Sequence, residues 1–540
     1  MDVVLRGARI WTGDPAQPWA ESLLARDGRI VAVGADAEVA AHLTGREQVV
    51  DVDGPLVVPG VVDAHNHIRL GSGDGAVQLH GATTLGEIRA RIATWLDENP
   101  TAAWVYGEGF DYAAFPEGRY PHADDLAGAC GGRPAMLLDY SVHAALFNRE
   151  ALAALGATSS TTQVPYGWFE HDDSGGLTGY LHDYATKGLS RAGLAALKEL
   201  VPVFSDEEQY ARVRSGLDMA ASYGITTVVE PQNSLDDLAL FARARDEGTM
   251  RSRVIAALFH PLGTTDDEVD EFERTIATHQ GDRFRLGPLK LYIDDIVEPH
   301  TAAMLAPYAN RPDTSGHAYY EPTELDELIA RLDARGLQCF IHATGDRGNR
   351  LVLDAFAHAQ RVNGARDSRH QVVHVECLDA ADVPRFGELG VVACMQPRHC
   401  APEIVREWRA NVGPQRWRHA WPMRGLHESG AVLAFSSDWN VAEMDPMVGL
   451  YTAATRADLD GAESWVPEET LDVETALTAY TVGSAWANFC DGERGVLAPG
   501  ALADLVVLSQ DVLAVEPAAI LETRALLTMV DGDVVHEAGR

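Results

Sequence analysis

Residues 57–67 read Val57-Val-Pro-Gly-Val-Val-Asp-Ala-His-Asn-His67. An apolar, β-branched run ends in two imidazoles two residues apart. On a strand, residues i and i+2 point to the same face. His65 and His67 can therefore grip one metal ion from a single strand, whereas a helix would need i and i+4 spacing. Alone the pair is a weak signal, because two polar residues leaving a strand look the same. Its meaning depends on whether later strands end in further ligand types.

Working outward, residues 2–58 read as all-β. Short runs such as Asp2-Val-Val-Leu-Arg, Arg29-Ile-Val-Ala-Val-Gly and Gln48-Val-Val-Asp-Val-Asp-Gly are punctuated by Gly and Asp. The far end of the chain shows the same pattern, with Ala503-Asp-Leu-Val-Val-Leu and then Leu527-Thr-Met-Val-Asp-Gly-Asp-Val-Val-His around an Asp-Gly hairpin signal. Neither piece alone has enough strands to bury a sheet. The two are expected to form one β-sandwich, 1–58 plus 491–540, with the middle of the chain inserted between them.

From Gly60 onward short apolar runs alternate with helical stretches, the mark of βα units and a parallel sheet. Candidate strands are 57–64, 225–230, 253–258, 284–291, 337–341, 371–373, 391–395 and 431–435. Eight is the number of a closed (β/α)8, TIM-like barrel, assigned here to 59–71 plus 205–490. About 160 residues separate the first two strands, where a crossover needs only a dozen or more. Residues 72–204 are thus expected to be an inserted α/β subdomain over the barrel mouth. Its aromatic run Trp104-Val-Tyr-Gly-Glu-Gly-Phe-Asp-Tyr offers Trp104, Tyr106, Phe110 and Tyr112 as a substrate wall or, more plainly, as the insert's own core.

In such a barrel chemistry sits at the C-terminal ends of the strands. The first ends in His65 and His67, the fourth runs Lys290-Leu-Tyr-Ile-Asp294, the fifth reaches His342, the sixth His374 and the eighth Asp438. Singly, His342 and His374 read as core histidines and Asp438 as a loop acid. Together, imidazole nitrogens and a carboxylate suit Zn²⁺. Lys290 has no lone pair as an ammonium. It becomes a ligand only as the carbamate formed by its neutral amine and CO₂, which would bridge two metals; otherwise it is a salt-bridging lysine beside the site. On the first reading His65, His67 and Asp438 hold one ion and His342 and His374 the other, one or two Zn²⁺ per chain.

These residues in their contexts (Ile-His342-Ala-Thr-Gly-Asp, Val-Val-His374-Val-Glu-Cys, Phe-Ser-Ser-Asp438-Trp-Asn, Met395-Gln-Pro-Arg-His and Arg494-Gly-Val-Leu-Ala-Pro-Gly) resemble the amidohydrolase superfamily. The resemblance is nearest to amidohydrolase family 3, the YtcJ-like branch that includes N-substituted formamide deformylase. It implies a zinc-dependent hydrolase acting on non-peptide carbon–nitrogen bonds, with an N-acyl or N-formyl amine as substrate and Asp438 as general acid–base. Asp295 stands where that branch commonly has Gly, and His300 where Arg is frequent. With Asp294 and Trp439, His300 is a candidate substrate contact. The same cluster also serves deamination, carbamate, ester or lactone hydrolysis and decarboxylation, and a non-catalytic binding protein on the same barrel is the remote alternative.

The resemblance implies a small-molecule partner, with a homodimer left open, and composition disfavours two other classes. The 540 residues carry 43 Lys and Arg against 80 Asp and Glu, a net charge of −37. That disfavours nucleic acid and anionic membrane surfaces, which need basic patches. No Cys-x-x-Cys occurs among the six cysteines, which fits reduced thiols. The start lacks a basic region followed by an apolar core, so a cytoplasmic location is expected.

Overall fold

The structure is a computed structural model that describes residues 2–539 except 51, 53, 70–72, 74, 117, 118, 189 and 201–203. Eight parallel strands form one sheet in chain order. They are β1 (Val61–Asp63), β2 (Ile225–Asn233), β3 (Arg253–Phe259), β4 (Phe284–Tyr292), β5 (Cys339–Ala343), β6 (Gln371–His374), β7 (Val392–Met395) and β8 (Leu433–Phe435). All eight runs expected from the sequence are present. Beyond the last ladder, Ala64 N–H donates to Phe435 O (3.2 Å) and Asp438 N–H to His65 O (2.8 Å), bringing β8 round to β1. The sheet is a nearly closed TIM-like barrel. Small residues such as Ala64, Ala257 and Ala434 pack inside it with Phe340, Val373, Val392 and Cys394.

The run expected as one strand over 57–64 is two. Leu56–Pro59 pairs antiparallel with Leu505–Leu508, Val57 opposite Val507, in a six-stranded sheet of both termini. After Gly60 the chain crosses to β1 and pairs with β2. Pro59 has no N–H for a ladder, and a side chain at Gly60 would place its Cβ 2.2 Å from Thr226 Oγ1. The break therefore needs this Pro-Gly pair.

A second, four-stranded sheet comes from Val3–Leu5, Ser22–Arg26, Arg29–Gly34 and Gln48–Val50. Asp51 and Asp53 of the strand expected there lie outside the described residues. Val3, Leu5, Leu23 and Ile30 from this sheet share one buried cluster with Val57, Leu505, Val507 and Met529 from the other. The composite sandwich thus has a common core. Hairpins turn at Asp27-Gly28 and Asp531-Gly532, with positive φ at all four residues, as a type I′ turn demands. The 2–58 region is not purely β, because Asp36–Ala40 is a short helix. On β3, buried Arg253 chelates Asp504 (2.7 and 3.0 Å) and also bonds Asp531, tying the barrel to the sandwich.

The chain divides into two compact units: 1–68, 214–260 and 265–540; and 69–213 with 261–264. The second has its own mixed seven-stranded sheet, running from Gln163–Val164 at one edge to Val77–Gln78 at the other. The helix Leu85–Glu98 starts at a Thr84/Glu87 capping box and buries Ile88 and Ile92 in that unit's core. All six cysteines are buried and unpaired. Among the described residues no helix is long and apolar enough to cross a membrane.

Candidate metal centre

His65 and His67 stand just beyond the last residue of β1, not within it. Their backbone is still held in register: Asn66 N–H donates to Val229 O (2.9 Å) and His67 N–H to Trp439 O (2.6 Å). Asp63 knits the same place from below. Its buried carboxylate accepts Ser437 N–H (2.9 Å), Ser437 Oγ (2.6 Å) and Asn66 Nδ2 (2.9 Å). Burial still pushes this carboxyl up to about 6.

The result is a convergence of three donors. His65 Nε2 lies 3.2 Å from His67 Nε2 and 3.2 Å from Asp438 Oδ1; His67 Nε2 lies 3.3 Å from the same oxygen. A tetrahedral zinc with bonds of about 2.0–2.1 Å separates its donors by about 3.3 Å. The donor set thus fits a divalent cation in both chemistry and spacing. Burial, with help from the Lys290 charge, drives His65 down to about 3, so its ring is a neutral lone-pair donor. For Asp438, burial favours the neutral acid but is outweighed by His65 and His67, and the carboxylate stays ionised.

Lys290 is buried at the inner end of β4, its Nζ 4.7 Å from the Tyr292 ring centroid and 5.2 Å from that of Phe340. Among the described residues no hydrogen-bond partner reaches it. Burial, only partly offset by Asp438, Cys394 and Glu230, brings the amine down to about 7. A neutral amine is then accessible near neutrality.

His342 and His374 come from neighbouring strands, ring centroids 4.6 Å apart. Each has one nitrogen committed. His342 Nε2 donates to Asp295 O (3.0 Å) and His374 Nδ1 to Gln396 Oε1 (2.9 Å). Such bonds fix the tautomer and leave the lone pair on the other ring nitrogen. His374 also groups with Glu376 and His399, one ligand atom of each lying within 4.8 Å of the others.

Three residues escaped the sequence reading. Glu230 lies inside β2, 4.0 Å from His67 Nδ1. Glu376 follows His374 by two residues and accepts Trp408 Nε1–H (3.1 Å). His399 sits on the one-turn helix Pro397–Cys400 after β7. The rule that picked out strands 1, 4, 5, 6 and 8 would have reached Glu230 and His399 had it been applied to strands 2 and 7.

The profile of the amidohydrolase family matches residues 48–536. The chain belongs to that family. The amidohydrolase is 26% identical to N-substituted formamide deformylase of Arthrobacter pascens over 99% of this chain and 98% of that one. It is 25% identical to the putative amidohydrolase YtcJ of Bacillus subtilis over 99% and 100%. Its fold matches that of a metal-dependent hydrolase from Pyrococcus horikoshii with a TM-score of 0.74 at 22% identity, over 96% of this chain and 99% of that one.

The remaining candidates of this amidohydrolase sit as follows. Asp294 is fully buried and accepts backbone N–H groups from Ala303, Thr344 and Gly345 (2.9–3.1 Å), fastening two loops. His300 donates from Nε2 to Asn310 Oδ1 (3.0 Å) and meets Tyr308 edge to face. Trp439 follows Asp438, and its indole N–H is buried with no hydrogen-bond partner among the described residues. In the inserted unit, Phe110 is fully buried in one core cluster with Tyr112 packed against it. Trp104 and Tyr106 pack against the other cluster, and Tyr112 Oη donates to Asp139 (3.0 Å).

Proposed function

We propose that this amidohydrolase cleaves an amide-type C–N bond in an N-acyl or N-formyl amine, using zinc. The convergence of His65, His67 and Asp438 at donor separations of 3.2–3.3 Å carries the reading. The full-length similarity to a formamide deformylase supports the bond type. These three residues would hold one ion; His342, His374 and a carbamate on Lys290 would hold a second. Bound there, zinc supplies Lewis acidity and a nucleophilic water at neutral pH.

The chain's own residues do the rest. Asp438 accepts the proton that the attacking water gives up and returns it to the leaving nitrogen. Water and R–CO–NH–R′ thus become a carboxylic acid and an amine, with no other reactant. Asp63 accepts Ser437 N–H and Oγ–H, and Asp438 N–H donates to His65 O, so the base and the donor set are tied together across the seam.

The test is a panel of N-formyl and N-acyl amines, amine-bearing heterocycles, esters and lactones, with product masses and metal analysis. Release of a free amine with one or two zinc ions per chain is expected. Loss of ammonia from a ring or of CO₂ from an acid would replace the amide reading.

A further inference from the structure

We propose that His399 is a substrate-binding catalytic residue, donating a hydrogen bond from Nε2–H to the acyl oxygen under attack. The inference rests on the hydrolase reading but not on which acyl compound is cleaved, since amides, esters and lactones share that oxygen.

Three observations meet here. First, the two oxygens of Asp438 face different ways. Oδ1 meets His65 and His67, while Oδ2 lies 3.6 Å from His374 Nδ1 and 3.8 Å from His399 Nε2. The 3.8 Å separation is too long for a hydrogen bond, so the imidazole stands beside the carboxylate without being bonded to it. Second, His399 is buried and its Nε2 has no hydrogen-bond partner among the described residues. Buried polar groups are almost always satisfied, and an exception calls for a ligand that completes it.

Third, the ring is held there by built structure. Arg398 chelates Glu443 through Nε (2.8 Å) and Nη2 (3.2 Å) and reaches Glu403 through Nη1 (2.6 Å). Glu443 lies five residues beyond Asp438, so this pair clamps the His399 turn to the Asp438 loop. Gln396, at the foot of the turn, binds Ser436 Oγ (2.9 Å) and the His374 ring. The His399 and His374 rings are parallel, 6.3 Å apart with planes 6° from each other. A donor fixed in advance beside the base, with no partner of its own, suits an oxygen whose negative charge grows during attack.

The experiment compares His399→Phe and His399→Gln with the wild-type holoenzyme. It measures metal content, kcat and KM on the best compound of the panel, and calorimetric affinity for a monoalkyl phosphinate as a tetrahedral mimic. Phe keeps the ring and removes the N–H; Gln restores an N–H. We expect His399→Phe to keep its zinc, lose roughly 10²–10³-fold in kcat, change KM little, and bind the phosphinate weaker by a similar factor. His399→Gln should recover at least tenfold of that loss.

Unchanged kcat and phosphinate affinity in His399→Phe would overturn the assignment. So would loss of a zinc ion, which would make His399 a ligand with His374 and Glu376. Equal damage by Phe and Gln would reduce it to packing. A wild-type protein that neither turns over any panel compound nor binds the phosphinate would sink the hydrolase reading, and this role with it.

Discussion

The two ligand sets at the barrel mouth differ in how much the polypeptide provides unaided. The His65–His67–Asp438 set is complete from coded side chains. Its donors converge at 3.2–3.3 Å where β8 returns to β1, and Asp63 bonds both sides of that seam. The His342–His374 set is a pair of rings with their outer nitrogens committed. Its expected third member is a lysine that must first react with CO₂. One half of the centre is thus preformed, and the other is conditional on chemistry at Lys290.

If that contrast is right, the preformed set should be the more sensitive. His65→Ala or His67→Ala is expected to abolish nearly all turnover and to lose at least one zinc ion. Metal analysis beside an assay shows it; an active variant with its full metal content would remove the first set from the mechanism. Asp438→Asn keeps the size and the fold but not the proton acceptor, and kcat should fall roughly 10²–10⁴-fold. Near-normal turnover would leave Asp438 a purely structural role.

Lys290→Ala strikes the conditional half. The carbamate proposed to join the two ions could not form, so the protein should hold a single zinc ion, with activity well below wild type. Acetate or propionate, entering the space the side chain leaves, should restore part of it. Two tightly held ions and full activity without the additive would show that no carbamate is needed.

Much of this arrangement was legible in the sequence, for identifiable reasons. Barrel strands are buried on both faces, so they appear as continuous β-branched runs, and Arg253-Val-Ile-Ala-Ala-Leu is a strand on sight. The composite sandwich followed from two strand-rich ends too small to stand alone. The split at Gly60 was hidden because Pro59 and Gly60 interrupt a run that stays apolar on both sides; only the approach of Thr226 reveals why the chain must cross there. His399 was legible as a residue just past the seventh strand, but its placement was not, because an ion pair between Arg398 and Glu443 sets it and no periodicity encodes a contact 45 residues apart. Glu230 closes the expected second strand, 225–230, so its place at a strand end was legible, but its approach to His67 was not.

A finer contrast is in pH. Burial lowers the Lys290 amine to about 7, and only the neutral amine captures CO₂. Below that value the neutral fraction grows roughly tenfold per pH unit, and above it the fraction levels off. With dissolved CO₂ held constant, zinc reconstitution of the metal-stripped protein should therefore quicken from pH 6 to about 7.5 and then plateau. Filling of the first set in Lys290→Ala should lack this rise. A wild-type profile still climbing steeply to pH 10 would mean an ordinary lysine amine.

The smallest effect expected is at Gln396, where the two halves can be separated without touching a ligand. Its Oε1 accepts from His374 Nδ1 and its Nε2 donates to Ser436 Oγ, both at 2.9 Å. The bond to His374 selects the tautomer whose Nε2 carries the lone pair. Gln396→Leu is close in volume, so the fold should persist, while the imidazole loses its orienting partner. Removing such a partner typically weakens metal binding about 10–100-fold. The loss should fall on the second ion only, because His65, His67 and Asp438 keep every bond that fixes them. Competition with a chelator, read as two separate release steps, measures this. If both ions weaken together, the two sets are one cooperative cluster. If neither does, the strand geometry of β6 already orients His374 and the amide is only filling space.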